Sequence, residues 1–226
     1  MAYKYILFDL DGTLFDYDKA ETKALKAAFV KFGFAYETSY LQLYRNLNSA
    51  LWRQYETGNV TQVDLKVKRF EQLGTETGIP IDPVSFSRVY LNYLAQGTDL
   101  IDGSENVLKY LSAKYQLFLI TNGLKNVQRP RISNSTIGHY FNDVIISEEV
   151  GFAKPDKRIF DIVFKILNHP DRKDVLLVGD SLTSDMAGGS NYGIDTCWFN
   201  PSGIENNSGN SINFEIRNLD ELISLL

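Results

Sequence analysis

Five short apolar runs, each followed within two residues by a polar side chain, most constrain the fold of this chain. They are 5–8, 117–120, 144–146, 175–178 and 196–199. Segments with helical spacing of apolar residues separate the later runs. Buried strands that alternate with helices are typical of a parallel sheet covered on both faces. We therefore predict an α/β fold, with polar residues gathered at the carboxyl edge of its sheet.

Between the first run and the second lies a stretch of about 80 residues that carries no strand pattern. Apolar residues in this stretch recur at three-to-four spacing, as at Ala20 and Ala24, which is typical of helices. The sequence thus predicts an inserted helical unit at 17–97. The α/β core would comprise 1–16 and 98–226.

Near the end of the chain, the segment 201–213 is rich in Ser, Asn and Gly and is predicted to be a loop. Asn218 and Glu221 have the spacing of a capping box, which predicts a last short helix.

Composition limits the possible partners and compartment. The net charge is −5 and no basic tract is present, so we expect neither nucleic-acid binding nor attachment to an anionic membrane. No apolar run reaches the roughly 20 residues of a membrane helix. A single cysteine, Cys197, cannot form a disulfide within the chain and favours a reducing, cytoplasmic location.

The most specific motif is Asp9-x-Asp11-Gly12-Thr13, directly after the first apolar run. Two carboxylates at a strand end can face one pocket, and a glycine permits the tight turn that aims them. One carboxylate can attack phosphorus, and its partner can exchange protons with the leaving group and with water. The alternative is a solvated Asp-Gly turn without chemical function.

A second acidic group follows the fourth run. Asp180 and Asp185 could hold a hard cation together with Asp9, and Mg²⁺ favours such carboxylates alongside substrate phosphate. The alternative is that Asp180 or Ser181 caps a helix and that Asp185 lies favourably near its N-terminus.

Thr121, Asn122 and Gly123 follow the second run. The Asn-Gly pair is a hairpin signal, but the residues from Leu124 onward have a helical pattern. A hydroxyl and N–H groups at a helix start would instead cradle phosphate. Lys154 could reach the same edge, although most lone lysines are solvated. With Mg²⁺, it would offset the charges of three aspartates and a phosphate dianion.

In order along the chain, Asp9-Leu10-Asp11-Gly12-Thr13, Thr121, Lys154-Pro155 and Gly179-Asp180 to Asp185 resemble the motifs of the haloacid dehalogenase superfamily of phosphohydrolases. The resemblance implies a Rossmann-like three-layer core, with its first strand between the strands that precede Thr121 and Asp180, and an inserted all-helical C1-type cap. True dehalogenases lack the second aspartate, so Asp11 favours phosphate chemistry.

The same resemblance implies roles for individual residues. The nucleophile would be Asp9 and the acid/base would be Asp11. Mg²⁺ would bind Asp9, the Asp11 carbonyl and Asp180, with Asp185 as a ligand or a support. The implied phosphate contacts are Thr121, Asn122 and Lys154.

Further stretches resemble the pyrimidine 5′-nucleotidase branch of the superfamily. They are Asn48-x-x-Leu51-Trp52-x-x-Tyr55-x-x-Gly58, Arg69-Phe70-Glu71, Ile146 to Pro155 and Thr196 to Asn200. In the cap, Trp52 and Tyr44 could stack on a base and Asn48 could bind its edge. The alternative is that these residues belong to the cap core. Pro130 departs from the pattern and is expected to kink a helix near the site.

Three functional hypotheses follow. The first is a Mg²⁺-dependent 5′-nucleotidase that hydrolyses pyrimidine nucleoside monophosphates through an aspartyl-phosphate. The second is a sugar-phosphate or phosphoglycolate-type phosphatase, or a phosphomutase, on the same scaffold. The third is a non-catalytic sensor of phosphate ligands. The sequence does not indicate an oligomeric state.

Overall fold

The computed structural model describes residues 3–226, which divide into two compact units. One unit comprises the chain up to Tyr17 together with Thr98–Leu226, and the other is Asp18–Gly97. The strands and α-helices in chain order are β1 Tyr5–Phe8, α1 Tyr17–Lys31, α2 Thr38–Glu56, α3 Gln62–Thr77, α4 Pro83–Leu94, α5 Ser104–Ser112, β2 Gln116–Thr121, α6 Lys125–Asn134, β3 Asp143–Ile146, α7 Ser147–Val150, α8 Lys157–Ile166, β4 Val175–Gly179, α9 Ala187–Tyr192, β5 Asp195–Phe199, β6 Phe214–Ile216 and α10 Glu221–Leu225.

The first unit is built on a parallel sheet in the order β3-β2-β1-β4-β5-β6. Leu7 of β1 lies opposite Phe118 on one side and Leu177 on the other. The predicted position of the first strand, between those that precede Thr121 and Asp180, is confirmed. Strand order changes direction at β1, and such a switch point is where open α/β sheets bind ligands.

Both faces of the sheet are covered because its strands are apolar on both sides. Ile6 and Phe8 point to one face, where they join buried residues of α5, α6 and α10. Leu7 points to the other face, into a cluster with Phe160 and Val163 of α8. The predicted three-layer α/β core is confirmed.

Two elements of this unit, β6 and α6, compare differently with the prediction. β6 was not predicted, because its three residues are too few to show a period; it pairs with Cys197–Phe199 of β5. The helix predicted after Leu124 is confirmed as α6. It continues through Pro130, whose missing N–H removes one intrahelical hydrogen bond.

The second unit consists of α1–α4 and has an aromatic core. The Phe70 ring lies 5.1 Å from the rings of both Phe86 and Tyr90, measured between centroids, and Phe29 packs edge-on against Phe86 at 5.3 Å. These rings come from three helices, so aromatic packing fixes α1, α3 and α4 together. Across residues 3–226, every helix is too short or too polar to cross a membrane.

Truncation of a buried and of an exposed aliphatic residue of the first unit should lower the free energy of unfolding by clearly different amounts. Leu177→Ala should lower the free energy of unfolding by about 2–5 kcal/mol, because Leu177 is completely buried in β4. Ile166→Ala should change it by less than about 0.5 kcal/mol, since Ile166 is 43% exposed at the end of α8. Urea unfolding followed by circular dichroism measures both, and equal losses would contradict this description of the core.

Candidate active site

Polar residues lie at the carboxyl ends of three adjacent strands, at one edge of the sheet. The Asp9 N–H donates to the Val178 carbonyl at 2.9 Å, so β1 stays paired with β4 up to Asp9. Thr121 is the last residue of β2, and Asp180 directly follows β4. The three residues therefore lie on neighbouring segments at the carboxyl ends of the strands.

The turn after β1 depends on Gly12. Its φ is +86°, and a Cβ at this position would lie 2.6 Å from Asp180 Oδ2. The Phe15 N–H donates to the Leu10 carbonyl at 2.8 Å and closes the turn. Thr13 Oγ1 then donates to Asp180 Oδ1 at 3.1 Å. The Gly-Thr pair of the motif thus packs on and orients Asp180, a role that sequence reasoning did not assign to Thr13.

Lys154 is the centre of a buried ionic cluster. Its Nζ donates to Asp9 Oδ1 and to Asp185 Oδ1, both at 2.6 Å, and to the Ile120 carbonyl at 2.7 Å. The Lys154 side chain is 1% exposed. Lys154 is therefore not a solvated surface charge, and it joins β2, the Asp9 segment and the segment after β4.

The remaining acids of the cluster are fixed by main-chain and indole groups. Asp185 lies in a π-helical turn, Leu182–Met186, and its Oδ2 accepts the Ser181 N–H at 3.1 Å. The buried Trp198 indole donates to the Asp180 carbonyl at 2.9 Å. Each acid is held from outside the cluster, which keeps the like charges close.

Burial dominates the electrostatics of this cluster. Burial raises the pKa of Asp9 well above its usual value, and Lys154 offsets only part of that rise. Burial and then the charge of Asp185 raise the pKa of Asp180 to about 7. Burial lowers the pKa of Lys154, but the attraction of Asp185 and Asp9 outweighs this and holds the pKa above its ordinary value. The lysine therefore stays charged, while burial and the neighbouring acids disfavour the ionised forms of Asp9 and Asp180.

The donor set fits a divalent cation. Asp9, Asp180 and Asp185 each offer one carboxylate oxygen, and these oxygens lie within 4.8 Å of one another. Three carboxylates and Lys154 carry a formal charge of −3 + 1 = −2. Oxygen ligands of this kind suit Mg²⁺, and a bound dication would balance the charge.

Asp11 projects from the Gly12 turn towards α6. Its Oδ1 accepts from Arg131 Nη1 at 2.5 Å, and its Oδ2 accepts from Gln128 Nε2 at 2.6 Å. Gln128 Nε2 also donates to Thr121 Oγ1 at 3.2 Å. Neither α6 residue was predicted to be part of the site. The available signal was two polar residues, three apart, on the same helix face as Val127 and Ile132.

Asn122, which was predicted to contact phosphate, binds the main chain of Lys154 in this structure. Its Oδ1 accepts the Lys154 N–H at 2.7 Å, and its Nδ2 donates to the Lys154 carbonyl at 2.8 Å. Both polar ends of the amide are thus bound to the main chain of Lys154. In this structure the Asn122 side chain positions Lys154, and its contact with phosphate stays a prediction.

The three predicted cap contacts lie on α2. Tyr44 is completely buried and stacks on Phe70 at 5.4 Å, so it occupies the aromatic core. Asn48 is also buried; it accepts from Arg69 Nη1 at 3.1 Å and donates to Glu21 at 3.4 Å.

Trp52 is half-buried and packs edge-on against Tyr55 at 5.6 Å. A base could reach Tyr44 only if the core rings separated, whereas Trp52 retains surface for a ligand. Base contact by any of the three residues stays a prediction.

A family model for haloacid dehalogenase-like hydrolases matches residues 6–199. This chain belongs to that family. The family predicted from the motifs is therefore confirmed, and the match spans the whole edge of the sheet described above.

Three relatives are similar over almost their entire lengths. The chain is 35% identical to the pyrimidine 5′-nucleotidase PynA of Streptococcus pneumoniae, covering 100% of this chain and 96% of that protein. It is 33% identical to the pyrimidine 5′-nucleotidase YjjG of Escherichia coli, covering 100% and 99%. The crystal structure of the Bacillus subtilis HAD-hydrolase YfnB bound to magnesium has 34% identity and a TM-score of 0.95, covering 100% of this chain and 99% of that one.

The acid cluster predicts a pH-dependent stabilisation by Mg²⁺. Because the pKa of Asp180 lies near 7 and that of Asp9 is raised, protonated carboxyls are favoured in the metal-free fold at low pH. Their stabilising contribution is lost as pH rises through these raised pKa values. The cation binds the ionised form, so it should raise the unfolding midpoint by several degrees at about pH 8 and by less at about pH 6.

Thermal unfolding in Mg²⁺ and in EDTA measures this increment at each pH. Asp171→Asn is a suitable control, because Asp171 pairs with Lys173 at the surface. Asp180→Asn should largely abolish the increment. An increment that is constant or that shrinks as pH rises would contradict the assignment of these acids to the cation.

Proposed function

We propose that this protein is a Mg²⁺-dependent phosphatase that hydrolyses pyrimidine nucleoside 5′-monophosphates through an aspartyl-phosphate on Asp9. The observation that carries the proposal is the contact of Lys154 with one oxygen of Asp9, in a buried cluster whose remaining charge is negative. Such a cluster suits an anionic substrate only when a cation is bound with it.

In the first half of the reaction, the Asp9 oxygen that Lys154 does not bind attacks phosphorus. The bond from phosphorus to the nucleoside O5′ breaks, and Asp11 gives its proton to that oxygen. The charge of Lys154 offsets part of the charge of the phosphoryl group, and the Thr121 hydroxyl donates a hydrogen bond to one of its oxygens. Lys154 also fixes the Asp9 carboxylate through its 2.6 Å contact, which limits the motion of the nucleophile.

In the second half, water attacks the phosphorus of the aspartyl-phosphate. Asp11, now a carboxylate, takes the proton from the water, and the bond from Asp9 to phosphorus breaks. Free phosphate leaves, and both aspartates return to their starting protonation states. A phosphomutase would instead return the phosphoryl group to a sugar hydroxyl, so release of phosphate separates the two activities.

Asp9, Asp180, Asp185 and the Asp11 carbonyl would hold Mg²⁺. The bound ion supplies positive charge that stabilises the transferring phosphoryl group. Thr13 and Trp198 keep Asp180 in place for this purpose. In the proposal the helical unit, 17–97, serves as a cap that excludes bulk water during transfer.

The relatives support a pyrimidine nucleotide as the substrate. PynA and YjjG, both named pyrimidine 5′-nucleotidases, match this chain over its full length. Stacking of a base on Trp52, which is half-buried, is part of the proposal and does not by itself favour one base.

The nucleophile assignment predicts a severe loss in Asp9→Asn. An amide cannot form the aspartyl-phosphate, so kcat should fall by at least about a thousandfold, as expected when a catalytic nucleophile is removed. Asp171→Asn is the matched control and should retain full activity. Phosphate release with Mg²⁺ measures both variants. Turnover by Asp9→Asn within about tenfold of the unchanged protein would contradict the mechanism.

The substrate assignment predicts a preference within a panel of phosphomonoesters. With Mg²⁺, kcat/KM for UMP, CMP and dTMP should exceed that for AMP, glyceraldehyde 3-phosphate and phosphoglycolate by at least about tenfold. A preference for the sugar phosphates would contradict the substrate assignment but not the proposed reaction mechanism. Absence of phosphate release from every compound would favour a non-catalytic phosphate sensor.

A further inference from the structure

The helix that follows Thr121 presents polar side chains on its buried face. Gln128 is 1% exposed and Arg131 is completely buried, and they lie beside the apolar Val127 and Ile132 on α6. Burial of a guanidinium and an amide is costly unless their donors find partners. This arrangement therefore needs a specific group that receives their hydrogen bonds.

That group is the carboxylate of Asp11. Arg131 binds its Oδ1 and Gln128 binds its Oδ2, so each oxygen accepts one N–H from α6. Arg131 Nη1 also donates to Gln128 Oε1 at 3.1 Å, which ties the two donors together. The guanidinium packs over the Phe15 ring at 4.8 Å, at the end of the same turn that carries Asp11.

The main chain after β2 is shaped around Gln128. A Cβ on Gly123 would lie 2.1 Å from Gln128 Nε2, so any larger residue at 123 would displace the amide. The Gly123 N–H itself donates to Thr121 Oγ1 at 3.2 Å. Because Gly123 has no Cβ, the Gln128 amide has space to bind both Asp11 and Thr121.

A two-point contact matters because the carboxyl torsion of an aspartate is broad. One hydrogen bond would leave the plane of the group free to turn, whereas donors on both oxygens fix that plane. Each oxygen keeps a second lone-pair position, which is available for proton exchange with a leaving group or water. When the acid is already held in one orientation, less conformational freedom has to be lost to reach the reactive geometry.

We infer that Arg131 and Gln128 are positioning residues that orient Asp11 for proton transfer, and that Gln128 couples this orientation to Thr121. The inference rests on the proposed function, because it assigns the two residues to the acid/base step of that reaction.

The test compares two substrates with different needs for a proton. UMP has an alkoxide leaving group that requires protonation, whereas 2,4-dinitrophenolate leaves without it. In Arg131→Met, single-turnover cleavage of UMP should slow by about tenfold to a hundredfold, within the range of general acid catalysis. The burst of dinitrophenolate from 2,4-dinitrophenyl phosphate should change by less than about threefold.

Gln128→Met should lower kcat in the same way and should also raise KM, because it loses the contact with Thr121. Arg129→Gln is the control on the same helix: Arg129 is exposed and pairs with Glu149. Its kinetics should equal those of the unchanged protein. Thermal unfolding of every variant separates loss of folded protein from loss of rate.

A double-mutant cycle with Asp11→Asn decides whether Arg131 acts through Asp11. The inference predicts that Arg131→Met has less than about a threefold further effect once Asp11 is Asn. The inference would be overturned if the rate losses of Arg131→Met and Asp11→Asn multiplied in the double variant. It would also be overturned if Arg131→Met slowed the cleavage of UMP and of 2,4-dinitrophenyl phosphate equally. Normal UMP turnover in both α6 variants would overturn it while the proposed function stands. No phosphate release by the unchanged protein would contradict the proposed function, and the positioning role with it.

Discussion

The burial of the Lys154 ammonium between Asp9 and Asp185 is the interaction on which the rest of the site depends. A charge that is 1% exposed is tolerated only with close partners, and here three acceptors lie within 2.7 Å of Nζ. Those acceptors come from segments far apart in the chain, so the ion cluster fixes their relative positions. Removal of Lys154 would leave Asp9 and Asp185 as buried like charges with no cation of the chain between them.

The close approach of the acids explains the space and the hydrogen-bond donors around them. Gly12 leaves space for Asp180, Thr13 donates to its carboxylate, and Trp198 binds its carbonyl. Asn122 holds the main chain of Lys154 at both its N–H and its carbonyl. The formal negative charge that remains is the physical basis for proposing a cation at this edge of the sheet, and a bound cation would in turn make a phosphate substrate acceptable.

Much of this fold follows from sequence pattern alone. The strands could be predicted because buried parallel strands are continuous apolar runs, and their polar ends meet at one edge. β6 could not, since three residues such as Phe214–Ile216 are too few to show a period. Gln128 and Arg131 could not be assigned either, because helix periodicity indicates which face is buried but not which partner a polar side chain meets. Asn122 shows the same limit, since a motif gives the position of an amide and not its direction.

Covalent transfer of phosphate to Asp9 is the central claim, and trapping the phosphoryl group tests it most directly. The protein would be mixed with UMP labelled in the phosphate and with Mg²⁺, quenched in acid during turnover, and digested for peptide mapping. The account predicts label on the peptide that contains Asp9, and none when Asp9 is Asn. Label on another residue, or rapid phosphate release with no labelled protein at any quench time, would contradict it.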